Sequence, residues 1–258
     1  MDELDYNKEW DFEWADGCWN DIDDDVKDLI IDKDIVAIGI PKDNIVRFPI
    51  STDEKNMKNK SFDYKLLAIL TLFSKHTPGE DHRYITKDDI ILNEEKIQEL
   101  SKKKTNTIIK NVRKLSRMQG NTVIAKIING KIIYIINYKN EDGRKYVLIE
   151  EKLLRYLADT SSSNLIKVYL LLKYRCNEET ETKVTRQSLA DGIGLCGNSG
   201  DSKMTITNIL NDLTDKHLIE KSNRYINIEL ENGNFKNTEC IMIKLKTYEA
   251  WLEHQNKK

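Results

Sequence analysis

Residues 101–118 combine cationic and amide side chains in a pattern that suits phosphate binding. This stretch contains no acidic residue and seven basic ones: Lys102, Lys103, Lys104, Lys110, Arg113, Lys114 and Arg117. Exposed helix faces usually mix both signs of charge, because opposite charges three or four positions apart stabilise the helix. Neutralising the phosphates of a nucleic acid is the natural use of such a surface. A solvated basic surface without a ligand is the alternative interpretation.

The apolar residues of the same stretch predict the element that positions these cations. Ile108, Val112 and Leu115 recur at helical spacing, which predicts a helix over 105–118 with one buried face. The opposite face then presents the candidate DNA-contacting residues Asn106, Thr107, Lys110, Arg113, Lys114 and Arg117. Three lysines at 102–104 would form the turn before this helix.

A second stretch, 202–218, has the same helical spacing but fewer charges. Its outward positions contain the polar candidates Lys203, Thr205, Thr207, Asn208 and Asn211. Asn can form two hydrogen bonds with adenine in the major groove, so this helix is expected to read bases more selectively than the first. A structural helix with merely exposed asparagines is the alternative. Two lysines near predicted hairpin tips, Lys131 and Lys236, could meet the DNA backbone.

The signals for catalysis are weak. The string Gly192-Ile-Gly-Leu-Cys-Gly197 matches the dinucleotide fingerprint, but a predicted helix precedes it where that fingerprint needs a strand. The four histidines lack metal-ligand spacing, and no nucleophile and base stand at a supporting spacing. We therefore expect no enzyme, no cofactor and no metal site.

Charge is distributed unevenly along the 258 residues. Residues 1–34 have a net charge of -11, whereas residues 35–258 have a net charge of +9. The acidic arm, 1–34, also holds aromatic residues, and its candidate contact residues are Trp10, Phe12, Trp14, Trp19, Asp23, Asp24 and Asp25. Acidic tails that only solvate are poor in aromatics, so this pattern indicates a partner-docking or self-inhibitory segment. A short amphipathic element packed on the body is the alternative, and Mg²⁺ binding by the aspartate run is less favoured than simple solvation.

Composition excludes several classes of protein. A hydrophobic content of 39% is enough for a packed core in a chain of this length. No stretch approaches the ~20 apolar residues that a membrane span needs. The acidic start is unlike a secretory signal, and the four cysteines are widely spaced. These features predict a cytoplasmic protein without a disulfide framework.

The first part of the chain predicts short strands and then a helical unit. Strands are expected at 35–41 and 44–50, followed by a polar linker, so that 35–60 forms a segment of its own. The unit at 61–140 then contains a helix capped by Ser61 and stopped by Thr77-Pro78-Gly79, a short helix at 93–100, the helix at 105–118, and a hairpin. Asn129-Gly130 between two β-branched runs is the strong signal for that hairpin.

The same order recurs at 146–258. Helices are expected at 149–158, 164–175, 185–193 and 202–218, followed by a hairpin over 224–230 and 239–245. A helix, a short helix, a turn, a longer helix and a two-stranded hairpin describe a winged helix-turn-helix. The sequence therefore predicts a mostly α fold with small β hairpins (α+β), built from two tandem winged helices behind an acidic arm.

The second unit carries a family resemblance. Residues 146–157, 165–176, 185–190, 204–213 and 217–219 are similar to the helix-turn-helix region of replication initiators of bacterial plasmids and phages. The likeness covers about residues 60–245, and transcription regulators share its motifs. It implies binding to repeated duplex sites at an origin or a promoter, recruitment of host replication proteins, and dimerisation through one winged helix. The acidic arm is not part of the family pattern.

A different class of function competes with DNA binding. Winged helices also serve as protein-docking modules, since a fold does not determine a function. On this hypothesis the acidic arm binds a basic cleft of a partner, or folds back on the basic helix and restrains it.

Overall fold

The structure, a computed structural model, describes residues 45–50, 57–76, 82–118, 122–137, 139–140, 143–144, 146–176, 178, 180–229 and 235–257. Several predictions lie outside these ranges: the acidic arm 1–34, the strand at 35–41, the helix stop at Thr77-Pro78-Gly79, and the tip of the second hairpin at 231–234.

The first half of the described chain alternates short strands with helices. In chain order the elements are β1 (Ile45–Pro49), α1 (Tyr64–Phe73), β2 (Lys75–His76), β3 (His82–Thr86), α2 (Lys87–Leu92), α3 (Glu94–Ser101), α4 (Thr105–Ser116), β4 (Val123–Ile128) and β5 (Lys131–Asn137).

The second half of the described chain begins with two strands of two residues each. Its elements are β6 (Lys139–Asn140), β7 (Gly143–Arg144), β8 (Tyr146–Glu150), α5 (Glu151–Thr160), α6 (Ser163–Arg175), β9 (Thr182–Val184), α7 (Arg186–Gly192), α8 (Gly200–Asp215), β10 (Ile219–Glu229), β11 (Phe235–Leu245) and α9 (Tyr248–Asn256).

The described strands form small antiparallel sheets, which confirms the expected α+β class. One sheet has the order β2-β3-β5-β4 and another the order β10-β11-β9. In both, the strand that precedes the helix pair adds to the second strand of the following hairpin. Strands β3 and β9 were not predicted, because three to five residues of mixed polarity give no clear period by themselves.

The first hairpin and the two long helices agree with their predictions. Asn129 and Gly130 both have positive φ (49° and 72°), and they join Ile128 to Lys131 in register. Such a turn matches the right-handed twist of its strands. The predicted helices at 105–118 and 202–218 are α4 and α8, with ends within three residues of the expected ones.

In the first unit, two helices begin at positions that the sequence analysis did not predict. Helix α1 begins after Asp63, whose carboxylate accepts from the N–H groups of Lys65 and Leu66, and so Ser61 is not its cap. Asp63 immediately precedes the first helical residue, and its negative charge suits the positive end of the helix dipole. The unpredicted helix α2 begins with a capping box in which Thr86 and Asp89 bond reciprocally. That four-residue signal was readable in the sequence.

Strand β1 pairs with β8, which lies a hundred residues further along the chain. Val46 stands opposite Ile149, and Phe48 stands opposite Val147. All four side chains are buried on one face of this pair. Ile149 therefore belongs to a strand, and the helix predicted from that residue begins instead at Glu151. A pairing between distant segments leaves no mark in the local period of either one.

The described end of the predicted linker, residues 57–60, packs with the core, whereas residues 51–56 lie outside the described ranges. Met57 and Phe62 are almost completely buried. Lys167, itself fully buried on α6, donates to the Asn59 carbonyl oxygen at 2.7 Å. Its ammonium lies 5.5 Å from the centre of the Tyr64 ring. The segment 57–64 therefore ties the start of the first helical unit to the second one.

Lys167 should make the free energy of unfolding depend on pH in the alkaline range. Burial lowers the pKa of Lys167 to about 8, against the weaker opposing effect of Asp63. Between about pH 8 and 10.5 the unfolded chain binds the proton more tightly, so the free energy of unfolding rises with pH. The rise is on the order of 3 kcal/mol. Urea unfolding from neutral to alkaline pH should show it for the wild type, and Lys167→Met should lack it. If the free energy of unfolding changes with pH in the same way for both proteins, Lys167 is not the source of the pH dependence.

Gly194 should tolerate no side chain. It has a φ of 79°, and a Cβ atom there would lie 1.7 Å from the Lys58 carbonyl oxygen. We expect Gly194→Ala to lower the free energy of unfolding by roughly 2 kcal/mol or more, because the backbone of the 57–64 segment must move. Gly200→Ala is the matched control, since its Cβ would meet open space. Equal denaturation midpoints for both variants would refute the close packing.

Candidate nucleic-acid interface

Helix α4 separates an apolar face from a cationic one. Ile108, Val112 and Leu115 are buried in the core. The candidate residues of the helix and its flanks are all exposed: Lys102, Lys103, Lys104, Asn106, Thr107, Lys110, Arg113, Lys114 and Arg117. The apolar side of the helix is buried and the polar side is exposed, as the sequence predicted. The structure brings the candidate residues together on one surface, which we call the α4 face.

A hydrogen-bond network fixes the turn between α3 and α4. Gln98 of α3 donates to the Glu94 carboxylate at 2.6 Å and to the Thr105 hydroxyl at 2.8 Å. The Thr105 hydroxyl donates in turn to the same Glu94 carboxylate. Lys102, in the left-handed conformation (φ 56°), ends α3. The first residue of α4 is therefore fixed against the preceding helix.

Two lysines of the turn form ion pairs with neighbouring elements. Lys102 lies 3.5 Å from Asp159 at the end of α5, and Lys103 lies 3.5 Å from Asp63 before α1. Exposed pairs of this kind contribute about 0–1 kcal/mol each. These two side chains are thus directed toward the rest of the protein, while Lys104 is not.

Lys104 occupies a position that helix stability does not favour. It is the N-cap of α4 and provides no side-chain cap bond. The positive end of the helix dipole disfavours a cation there, and Ser, Thr, Asp or Asn is the usual cap. Arg113 and Lys114, in the last turn, are favourably placed toward the dipole. Within the described part of the chain, Lys104, Lys110 and Lys114 have no ion-pair partner.

Arg113 and Lys131 connect the α4 face with the first hairpin. Burial raises the pKa of Tyr134 on β5, and the Arg113 guanidinium beside it partly opposes that shift. Lys131 follows the hairpin turn and lies 3.6 Å from Asp88, with both side chains exposed. Arg113 is therefore exposed but also lies beside a buried tyrosine of the hairpin. Lys131 places a further cation next to the hairpin turn.

In the second unit, several candidate side chains of α8 are already engaged. The hydroxyls of Thr205 and Thr207 donate to backbone carbonyls one turn earlier in the helix, at 2.8 and 2.9 Å. Asn211 accepts a hydrogen bond from Lys221 on β10 through its side-chain oxygen. Lys203 and Asn208 are exposed. Lys236 lies on β11, next to the predicted hairpin tip.

Sequence reasoning missed several residues around α8. Arg186, at the start of α7, donates through Nε to the Thr207 hydroxyl at 3.0 Å. A cleft of about 280 Å³ lies beside this bond, at the base of the β10–β11 hairpin, and Lys221 also lines it. Met204 on α8 and Tyr225 on β10 are large side chains that are 61% and 71% exposed. Only the isolated Thr185 cap before Arg186 gave a sequence signal for this region.

The glycine string at 192–197 serves packing in this structure. Gly192 is the last residue of α7 and abuts Leu171 on α6. Gly194 contacts the Lys58 backbone, and the Gly197 N–H donates to the Asp191 carboxylate at 2.8 Å. A helix precedes the string, as expected, so its glycines form a helix end and a tight turn.

Comparison with known proteins gives no family for the chain: no protein-family model matches it, and no significant similarity to a curated protein or a solved structure was found. None of the described helices is long and apolar enough to cross a membrane. Within the described ranges, no group of three or more His, Cys, Asp or Glu side chains is placed to hold a metal ion. The run Asp23-Asp24-Asp25 lies outside those ranges.

Proposed function

We propose that this chain is a duplex DNA-binding protein built from two tandem winged helices, of the kind that initiates plasmid or phage replication or regulates transcription. The first unit would be α1, β3, α2–α3, α4 and the β4–β5 hairpin. The second would be α6, β9, α7, α8 and the β10–β11 hairpin. The repeated element order and the matching pairing of β3 and β9 support this assignment.

In a helix-turn-helix, the second helix of the pair enters the major groove. Helices α4 and α8 are therefore the proposed recognition helices, and the hairpins are the wings that reach the DNA backbone or a minor groove. The initiator resemblance adds that the sites would be repeated sequences at an origin or at the protein's own promoter. It also adds host replication proteins and a second copy of the chain as partners.

The observation that carries the proposal is the charge of the α4 face. Seven exposed cations occur over 102–117 without one acidic residue in the stretch. Lys104 stands at a helix start, where a cation costs stability, which favours selection for a ligand over selection for the fold. Phosphates of a duplex satisfy such cations, and the release of counterions drives the binding.

The α8 face has a different character. Met204 and Asn208 are exposed and uncharged on one side of it, and Asn211 is held by Lys221. Its exposed charged residues are of mixed sign: Asp201, Lys203 and Asp215. We assign most of the affinity to α4 and most of the base selectivity to α8, because phosphate contacts position a protein whereas base contacts specify the sequence.

Removal of two α4 cations should weaken binding to every duplex. Lys110→Ala combined with Lys114→Ala should lower affinity by a similar factor for all sequences, because both side chains would contact phosphate. The slope of log affinity against log salt should become shallower by about 2. Fluorescence anisotropy of random duplex DNA over a salt series measures both quantities.

The matched control is Lys152→Ala, which removes an exposed cation from α5, outside the proposed interface. It should leave the salt slope unchanged. Arg113→Ala should also weaken binding, but its contact with buried Tyr134 makes it a less selective probe. If the double variant and the control bind alike, the proposed placement of the interface is wrong.

A second candidate function, a protein-binding or inhibitory module, is favoured by the acidic arm. Its net charge of -11 is opposite in sign to the charge of the remaining chain, +9. Three of the four tryptophans also lie there, as Trp10, Trp14 and Trp19. Such a segment could cover the protein's own basic surface or bind a basic partner.

Deletion of residues 1–34 should raise affinity for random duplex DNA at low salt, because eleven net negative charges leave the vicinity of the basic surface. The gain should disappear at high salt, since screening removes long-range repulsion. Anisotropy titrations of the full and shortened chains test this. Unchanged DNA affinity, together with loss of a co-purifying replication protein, would instead make the arm a docking segment.

A further inference from the structure

The outward face of α8 combines an apolar side chain with an amide one turn later. Met204 is 61% exposed, although a large apolar side chain gains by burial. Asn208 follows at the fourth position and is also exposed, so both lie on one side of the helix. The exposed charged residues nearest this side are acidic, Asp201 one turn before Met204 and Asp215 at the end of the helix, in contrast to the cationic α4 face.

The other polar groups of α8 are less available to a base. The Thr205 and Thr207 hydroxyl protons are committed to carbonyls of their own helix. Thr207 also accepts from Arg186, and Asn211 accepts from Lys221. Among the described residues, none forms a hydrogen bond with the Asn208 amide. Asn208 is thus the one amide of α8 that keeps both its donor and its acceptor for a ligand.

We propose that Met204 and Asn208 read A·T base pairs in the major groove, an inference that rests on the proposed DNA-binding function. The Asn208 amide would accept from adenine N6 and donate to N7. The Met204 side chain would pack on the C5-methyl group of thymine, the only apolar group on a base edge in that groove.

The position of the two residues on the helix supports this geometry. Both lie in the first nine residues of α8, and the N-terminal part of a recognition helix contacts base edges. They are separated by about 6 Å along the helix axis, so they would meet base pairs one or two steps apart. Lys221 and Arg186, bonded to the flanking side chains Asn211 and Thr207, stand beside this face where the backbone of the duplex would pass.

The test measures binding of the full chain to three DNA duplexes of equal length. Each has one alternating base-pair sequence, made of A·T pairs, of A·U pairs with deoxyuridine in place of thymidine, or of G·C pairs. The A·U duplex differs from the A·T duplex only in lacking the thymine methyl groups. We expect the wild type to prefer A·T to A·U by about fourfold, the effect of one buried methylene-sized group. We expect a preference for A·T over G·C of about five- to a hundredfold.

Two variants assign the preferences to their side chains. Met204→Ala should abolish the discrimination between A·T and A·U and should reduce that between A·T and G·C only by the same factor of about four. Asn208→Ala should largely remove the discrimination against G·C. Asn211→Ala is the matched control, an asparagine on the same helix whose amide is held by Lys221, and it should keep both preferences.

The outcomes separate this inference from the function on which it rests. If the wild type binds none of the duplexes, DNA binding itself is wrong. If it binds all of them equally, or prefers G·C, the α8 assignment is overturned while DNA binding stands. Equal losses on all three duplexes for Met204→Ala and Asn208→Ala would likewise overturn base reading by these residues.

Discussion

The burial of helix α1 is the constraint on which the rest of the structure depends. Seven of its ten residues are buried, and it packs against both α5 and α6 of the second half. The aromatic residues around its start reinforce this contact, with ring centres of Phe48 and Phe62 at 6.2 and 5.3 Å from that of Tyr64. Because one helix belongs to the cores of both units, the two units cannot separate without exposing apolar surface.

This shared core has a consequence for the proposed interface. The turn before α4 is held by α3, and its Lys102 reaches Asp159 at the end of α5. Helix α3 also packs against α5, so the position of α4 depends on contacts with the second half as well as on its own unit. A buried cation, Lys167, lies within the same contact region and bonds to the Asn59 backbone. Such a group costs stability unless its partners are in place, so it favours one arrangement of the two halves.

The two proposed recognition helices solve different physical problems. The α4 face concentrates positive charge, which would give a DNA affinity that is sensitive to salt and indifferent to sequence. The α8 face has no such excess of cations and offers an amide and an apolar side chain, whose proposed complements are the base edges. The acidic arm adds an opposing charge that could tune the first of these contributions without touching the second.

The sequence by itself determined the helices with a strong apolar period, the Asn-Gly hairpin, the cationic face of α4 and the uneven charge of the chain. Each of these depends on residues that are neighbours along the chain, so local spacing is enough to predict them. Only the tertiary structure decided that β1 pairs with β8, that Met57 and Phe62 on either side of Asn59 are buried, and that Asn211 is held while Asn208 is not. These facts depend on contacts between distant segments, and hydrogen bonding between distant side chains leaves no pattern in a single sequence.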